Sequence, residues 1–261
     1  MGAGIAAHCA NAGCEVLLLD IVPKDTNDRT IIAKGAIERM AKSNPEMLMH
    51  KSNAGKVTSG NIEDDLPKLK EADWVIEVII ENLEIKRNLY DSLAEHLGHR
   101  TILSSNTSTL PRSELAHGMP HDIASRFLIT HFFNPPRYMP LLEVVSGGEV
   151  EISVIERFCD FANERLGKRV TMCNDTPGFI GNRLGVFFGQ RAFKATLEHG
   201  FTVEQADAMT GRPIGVPKTA VFGLVDLVFR NVGLEPLWVL LGPVRMEVFG
   251  YLARRLSAMI H

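Results

Sequence analysis

No apolar run in this 261-residue chain reaches the roughly 18 residues that a membrane-spanning helix needs. Basic residues are never clustered in runs of five or more, and a net charge of −3 offers no footprint for nucleic acid. Cysteine is scarce: Cys9, Cys14, Cys159 and Cys173 lack metal-ligand spacing. A chain of this size needs no disulfide staples, so free thiols in a reducing cytoplasm are expected. Internal repeats and low-complexity tracts are missing, and Met1-Gly-Ala-Gly-Ile-Ala-Ala-His8 does not read as a secretory signal. What remains is an ordinary globular composition, 45% hydrophobic and 23% charged, long enough for one large domain or two smaller ones.

A further absence lies at the start. Residues 2–12 read as a small-residue helix stopped at Asn11-Ala-Gly13, and Glu15-Val-Leu-Leu-Leu-Asp20 reads as an apolar strand closed by an acid. Helix, glycine, strand and acid form the second half of a βαβ dinucleotide-binding unit. In such a unit glycines let the backbone approach a pyrophosphate, the helix N-terminus supplies N–H groups, and the acid binds the ribose hydroxyls. Gly2 and Gly4 then stand as the last glycines of the loop, and Asp20, with no arginine directly after it, favours NAD over NADP. Small residues for tight helix–strand packing explain the same stretch equally well. The strand and first glycines of the unit are not seen ahead of Gly2. The expectation is therefore that two neighbouring strands carry exposed apolar edges.

Further along, 26–43 reads as a helix, and the polar stretch 44–62 as a second helix or an exposed excursion with a turn. Asp73-Trp-Val-Ile-Glu-Val-Ile-Ile80 and Thr101-Ile-Leu-Ser-Ser-Asn106 read as strands covered on both faces. Arg126-Phe-Leu-Ile-Thr-His131 is a buried strand that ends at Asn134-Pro-Pro136, and Leu141-Leu-Glu-Val-Val145 is a second one carrying a lone acid. A buried carboxylate is costly unless paired. His131, across a proline-rich turn from Glu143, is the obvious partner. Such a pair suits a general base, because the carboxylate fixes the imidazole tautomer and stabilises the imidazolium. A satisfied core histidine beside an unrelated glutamate is the bland alternative. Glu81, Lys86, Ser108 and His131 all fall at or just beyond strand carboxyl ends, where open α/β sheets bind ligands. A helix near 152–166 and a strand at 168–173 follow. Beyond that point the pattern is helical only, over 177–199, 203–210 and 219–229, which places a domain boundary near 172. The fold class is α/β, a Rossmann-like doubly wound sheet over 1–172 followed by an all-helical domain over 173–228.

Several ordered motifs now combine. Thr130-His-Phe-Phe-Asn-Pro-Pro136 with Glu143, Asn106-Thr-Ser108, Val78-Ile-Ile-Glu-Asn-Leu83 and Asn174-Asp-Thr-Pro-Gly-Phe-Ile-Gly-Asn-Arg183 resemble the L-3-hydroxyacyl-CoA dehydrogenase family of fatty-acid β-oxidation. The resemblance runs to about residue 228, whereas 229–261 matches nothing recognisable. It implies that His131 removes the 3-hydroxyl proton while hydride passes to NAD, and that Glu143 orients His131. Ser108 and Asn182 would hold the substrate oxygen. Gly2, Gly4, Asp20, Glu81, Lys86 and Asn134 would contact NAD, with Lys42 and Lys51 as candidates for the CoA phosphates. The family's acyl-CoA site lies between its two domains, and its helical domain forms a homodimer. The stretch Met209-Thr-Gly-Arg-Pro-Ile-Gly-Val-Pro-Lys-Thr-Ala220 most resembles members fused to an enoyl-CoA hydratase. A short-chain 3-hydroxybutyryl-CoA dehydrogenase and a truncated, non-catalytic remnant are the alternatives.

Overall fold

The structure, a computed structural model, describes residues 1–24 and 26–225. The chain divides into two compact units, Met1–Phe179 and Ile180–His261.

The first unit opens with helix α1 (Gly2–Asn11), whose Ile5, Ala6, Ala7 and Ala10 are buried. Strand β1 (Val16–Asp20) and helix α2 (Ile31–Met40) follow, then strand β2 (Val57–Asn61). Next come β3 (Trp74–Glu77), α3 (Leu83–Ala94), β4 (Ile102–Ser105) and the short helices α4 (Arg112–Ala116) and α5 (His121–Ala124). Strands β5 (Phe127–Phe132) and β6 (Leu141–Val145), helix α6 (Ile152–Asp160) and strand β7 (Arg169–Met172) complete it. β2 was not expected as a strand. Its Val-Thr-Ser-Gly-Asn sequence carries little apolar signal, and it exists because every residue from Val57 to Asn61 pairs in parallel register with Val16 to Asp20.

Strands β3-β4-β5-β6-β7 form one sheet, parallel except for the antiparallel β5–β6 pair, and β1-β2 form a separate two-stranded sheet. The two sheets share their cores. Val16 of β1 packs on the same apolar cluster as Trp74 and Ile76 of β3, and Leu17 and Leu19 pack on the same second cluster as Val75. Yet β1 and β3 are not hydrogen-bonded to each other. Every residue of β1 is only half-buried, as are Trp74, Val75 and Ile76 of β3, whereas β4 and β5 are buried throughout. Among the described residues, the open apolar edges anticipated from the sequence are therefore those of β1 and β3.

In the second unit, α7 (Gly181–Glu198) and α8 (Val203–Thr210) are followed by a helical stretch at 220–225. A capping box at Thr202 and Gln205 starts α8. Phe193, Val203, Ala206, Val221 and Phe222 form the local core. The helix expected from Pro177 starts only at Gly181, because Gly178 and Phe179 adopt φ of +76° and +46°, in the left-handed region that a right-handed helix cannot contain. The buried Phe179 ring belongs instead to the core of the first unit. The remainder of the helix expected at 219–229, and the stretch 229–261, lie outside the described residues.

Candidate active site

His131 and Glu143 face each other directly in the antiparallel β5–β6 register. The Nδ1 atom of His131 lies 2.8 Å from Glu143 Oε2, and both side chains are buried, at 6% and 0% exposure. An ionised carboxylate only accepts, so Nδ1 carries the proton and Nε2 is the basic nitrogen. The rings of Phe133 and Phe179 lie 4.6 and 5.7 Å from the imidazole, giving the pair an apolar surround. Regular strand geometry is what brings the two residues together: the turn between the strands sets the register, and the register sets the contact.

Ser108 lies just past the end of β4, and its loop is fastened on two sides. Asn106 Oδ1 accepts the N–H of Phe132, the residue after His131, at 2.9 Å. Glu81 Oε1 accepts the N–H of Ser108 at 2.9 Å, the N–H and hydroxyl of Thr109 at 3.2 and 3.0 Å, and the Thr107 hydroxyl. Burial alone would raise the Glu81 carboxyl, but hydrogen bonds from Thr107, Ser108 and Thr109 and the charge of Lys86 outweigh it and hold it below its ordinary value.

Lys86 is buried to 1% exposure, with its Nζ 2.6 Å from Glu77 Oε1 and 3.3 Å from Glu81 Oε2. Glu77 also accepts from Tyr90 Oη at 2.7 Å, Ser105 Oγ at 2.6 Å and the Ile79 N–H at 2.6 Å. Glu77 was missed in the sequence because it sits inside an apolar strand, and the side chains that pair with it come from α3 and β4. Lys86 thus reaches the Ser108 loop through Glu81, and the two acids share one ammonium.

The remaining candidates are dispersed. Asp20 ends β1, half-buried, and its Oδ1 accepts the Ile21 N–H at 2.8 Å. Gly2 opens α1, and a Cβ on Gly4 would come within 3.2 Å of Pro136, so α1 approaches the β5–β6 turn at a place that tolerates only glycine without a shift. Asn134 is exposed on that turn. Asn182 lies in the first turn of α7, in the second unit. Lys42 and Lys51 are exposed, beyond the end of α2 and before β2. Among the described residues no cluster of histidine, cysteine, aspartate and glutamate could hold a metal, and no helix is long and apolar enough to cross a membrane.

The family model for the 3-hydroxyacyl-CoA dehydrogenase NAD binding domain matches residues 1–176, and that for the C-terminal domain matches 178–248. The chain belongs to the 3-hydroxyacyl-CoA dehydrogenase family. Membership of this dehydrogenase family extends into the stretch from 229 that reads as unassigned in the sequence. Among relatives, a Rickettsia felis protein named "Putative fatty acid oxidation complex trifunctional enzyme" is 44% identical over 89% of this chain and 32% of its own length. The mitochondrial hydroxyacyl-coenzyme A dehydrogenase of Rattus norvegicus is 34% identical over 87% of this chain and 73% of its own. Among solved structures, FadB2 of M. tuberculosis superposes with a TM-score of 0.76 at 27% identity, covering 95% of this chain and 85% of that one. A 3-hydroxybutyryl-CoA dehydrogenase from Escherichia coli gives 0.64 at 33% identity, over 76% and 41%. The chain thus spans about a third of the length of the trifunctional relatives.

Proposed function

We propose that this chain is a dehydrogenase unit that oxidises an L-3-hydroxyacyl-CoA to the 3-oxoacyl-CoA with NAD as acceptor, within fatty-acid β-oxidation. The observation that carries the reading is the buried His131–Glu143 pair, 2.8 Å apart at the carboxyl end of β5 and tied through Asn106 to the Ser108 loop. In the oxidising direction His131 Nε2 takes the proton of the 3-hydroxyl, and Glu143 stabilises the resulting imidazolium. The Ser108 hydroxyl, on a loop held by Glu81, donates to the substrate oxygen, and Asn182 is assigned the same task by resemblance.

The chain's own residues fit the dinucleotide. Asp20 offers a carboxylate at a strand end for the ribose, and α1 offers its N-terminal N–H groups beside a glycine-only approach at Gly4. Asn134 is exposed on the turn next to that approach, while Glu81 and Lys86 build the wall behind the Ser108 loop. Bound NAD supplies the hydride acceptor.

The test follows NADH absorbance with acetoacetyl-CoA as substrate. His131→Ala should lower kcat by about 10³-fold, within the usual range for a positioned acid–base group, and leave the NADH dissociation constant within about threefold. Equal losses in both would return His131 to the core, and a folded wild-type chain with no turnover would remove the reading. Turnover confined to four-carbon substrates would narrow it to a 3-hydroxybutyryl-CoA dehydrogenase.

Two partner readings accompany the activity. The trifunctional relatives and the Met209–Ala220 stretch support a fused or associated enoyl-CoA hydratase. Leu184, Phe187 and Phe188 on α7, at 63%, 63% and 39% exposure, support a homodimer through the helical unit, checked by light scattering of the wild type and of Phe187→Glu. The four free cysteines fit a reducing, cytoplasmic setting.

A further inference from the structure

Lys168, just ahead of β7, has no part in the chemistry proposed above, yet it is only 5% exposed. Its Nζ donates to the carbonyl oxygens of Pro136 and of Met139, the latter at 2.8 Å, and lies 5.4 Å from the centre of the Phe132 ring. The groups around it are carbonyls, an aromatic face, the Cys9 thiol and the His8 imidazole, with no carboxylate among them in the described residues. Burial pushes its pKa down from the usual lysine range to about 8. A buried ammonium without a counterion is costly, so its presence calls for a return other than stability.

That return is visible in the loop it grips. Residues 133–140 connect His131 on β5 to Glu143 on β6. Pro136, whose carbonyl Lys168 holds, is the residue that a Cβ on Gly4 of α1 would crowd. Arg137 donates to the carbonyls of Glu46 and Leu48 at 2.8 and 2.9 Å, and Tyr138 Oη donates to Glu46 O at 2.9 Å. His8 on α1 donates from Nε2 to Leu166 O at 3.0 Å, two residues ahead of Lys168. The turn of the catalytic hairpin is therefore anchored from below by Lys168 and from the side by the 46–48 segment, with α1 laid against it.

We propose that Lys168 is a positioning residue: its ammonium gathers the carbonyls of Pro136 and Met139 and so sets how the hairpin bearing His131 and Glu143 meets the first turn of α1. The proposal rests on the dehydrogenase reading for its kinetic consequence but not for its structural one.

The test uses Lys168→Met in the full 261-residue chain. Its melting temperature should be equal to or above the wild type's, because a costly buried charge is replaced by an apolar chain of similar length. Amide exchange at Tyr138 and Met139, whose N–H groups bond to Pro135 O, should quicken by about tenfold while β4 amides are unchanged. With acetoacetyl-CoA and NADH, kcat should fall by about tenfold or more with KM within about threefold. Unchanged exchange in the loop, faster exchange with unchanged kcat, or a melting temperature that falls in step with kcat would each overturn the proposal. If the methionine variant does not fold, Lys168→Gln, which keeps one donor, should give the same signs at smaller size. A wild-type chain without turnover counts against the dehydrogenase reading, and the exchange comparison still decides the role of Lys168.

Discussion

The two sides of the first unit are built from equally apolar sequence and end at different depths. Val16-Leu-Leu-Leu19 of β1 is half-buried at every position, whereas Phe127-Leu-Ile129 of β5 is 0% exposed. Hydrophobicity does not separate them; neighbours do. β5 has β4 and β6 beside it, and among the described residues β1 has only β2. A strand covered on both faces still presents one row of N–H and C=O groups if one edge is unpaired, and its side chains lose the cross-strand partners that complete their burial. The residues proposed for catalysis, from Ser108 to Glu143, therefore rest on finished sheet. Those proposed for the cofactor, Asp20 and the start of α1, stand beside an edge that no strand among the described residues pairs.

Four experiments would break or sharpen this contrast. The largest effect is expected within the finished half. Lys86→Met leaves Glu77 buried without its cation and should cost about 3–5 kcal/mol by urea unfolding, because removal of one partner strands the other. A loss below about 1 kcal/mol would mean that Tyr90, Ser105 and the Ile79 N–H satisfy Glu77 by themselves.

Acid should act on α1. Burial, with the charge of Lys168 adding to it, lowers the His8 pKa from 6.5 to about 4 in the folded chain. The unfolded chain then binds more protons between those values, so stability is lost as pH falls from 6.5 to about 4. After a discount for partial solvent screening the loss is about 2 kcal/mol, and His8→Gln should flatten that part of the stability–pH curve. An unaltered curve would place the acid sensitivity elsewhere.

The open edges should respond to a strand. Four or five Val/Ile-rich residues ending in Gly-x-Gly, joined ahead of Met1, should raise stability by roughly 2 kcal/mol, the surplus of apolar burial over ordering entropy. Amide exchange should slow in both β1 and β3. Slowing in one strand alone would mean that β1 and β3 do not bracket a single position. The smallest effect is expected at Asp20. Asp20→Ser should weaken NADH binding by about tenfold, the worth of a charged hydrogen bond, and narrow the preference against NADPH. An unchanged preference would remove Asp20 from the cofactor site.

Much of this molecule was readable in advance where the signal is local or periodic. The strands at β3, β4, β5, β6 and β7, the helix after Met1 and the acid closing β1 all follow from runs of apolar residues and their punctuation. The pairing of His131 with Glu143 was legible because a short turn joins two strands, leaving few registers open. β2 was not legible, since polar Val57–Asn61 is a strand only by virtue of β1. The late start of α7 was not legible either, because the left-handed backbone at Gly178 and Phe179 serves a ring buried in another element's core. Glu77 and Lys168 were passed over for one reason. Glu77 is a lone acid in an apolar strand and Lys168 one cation among several between Arg165 and Arg169, and the side chains and carbonyls that hold them come from residues well separated in sequence.

Composition and order of residues alone determined the class of the chain, the alternation of strand and helix, and the residue types available for chemistry. These depend on covalent neighbours and on periodicity, which a sequence displays directly. Tertiary structure alone decided which apolar strands are finished and which, among the described residues, stand open, that Glu81 clamps the Ser108 loop while sharing Lys86 with Glu77, and that a carbonyl-held lysine underlies the β5–β6 turn. Burial and pairing are properties of groups brought together through space, and their energies are set by what surrounds them once the chain has folded.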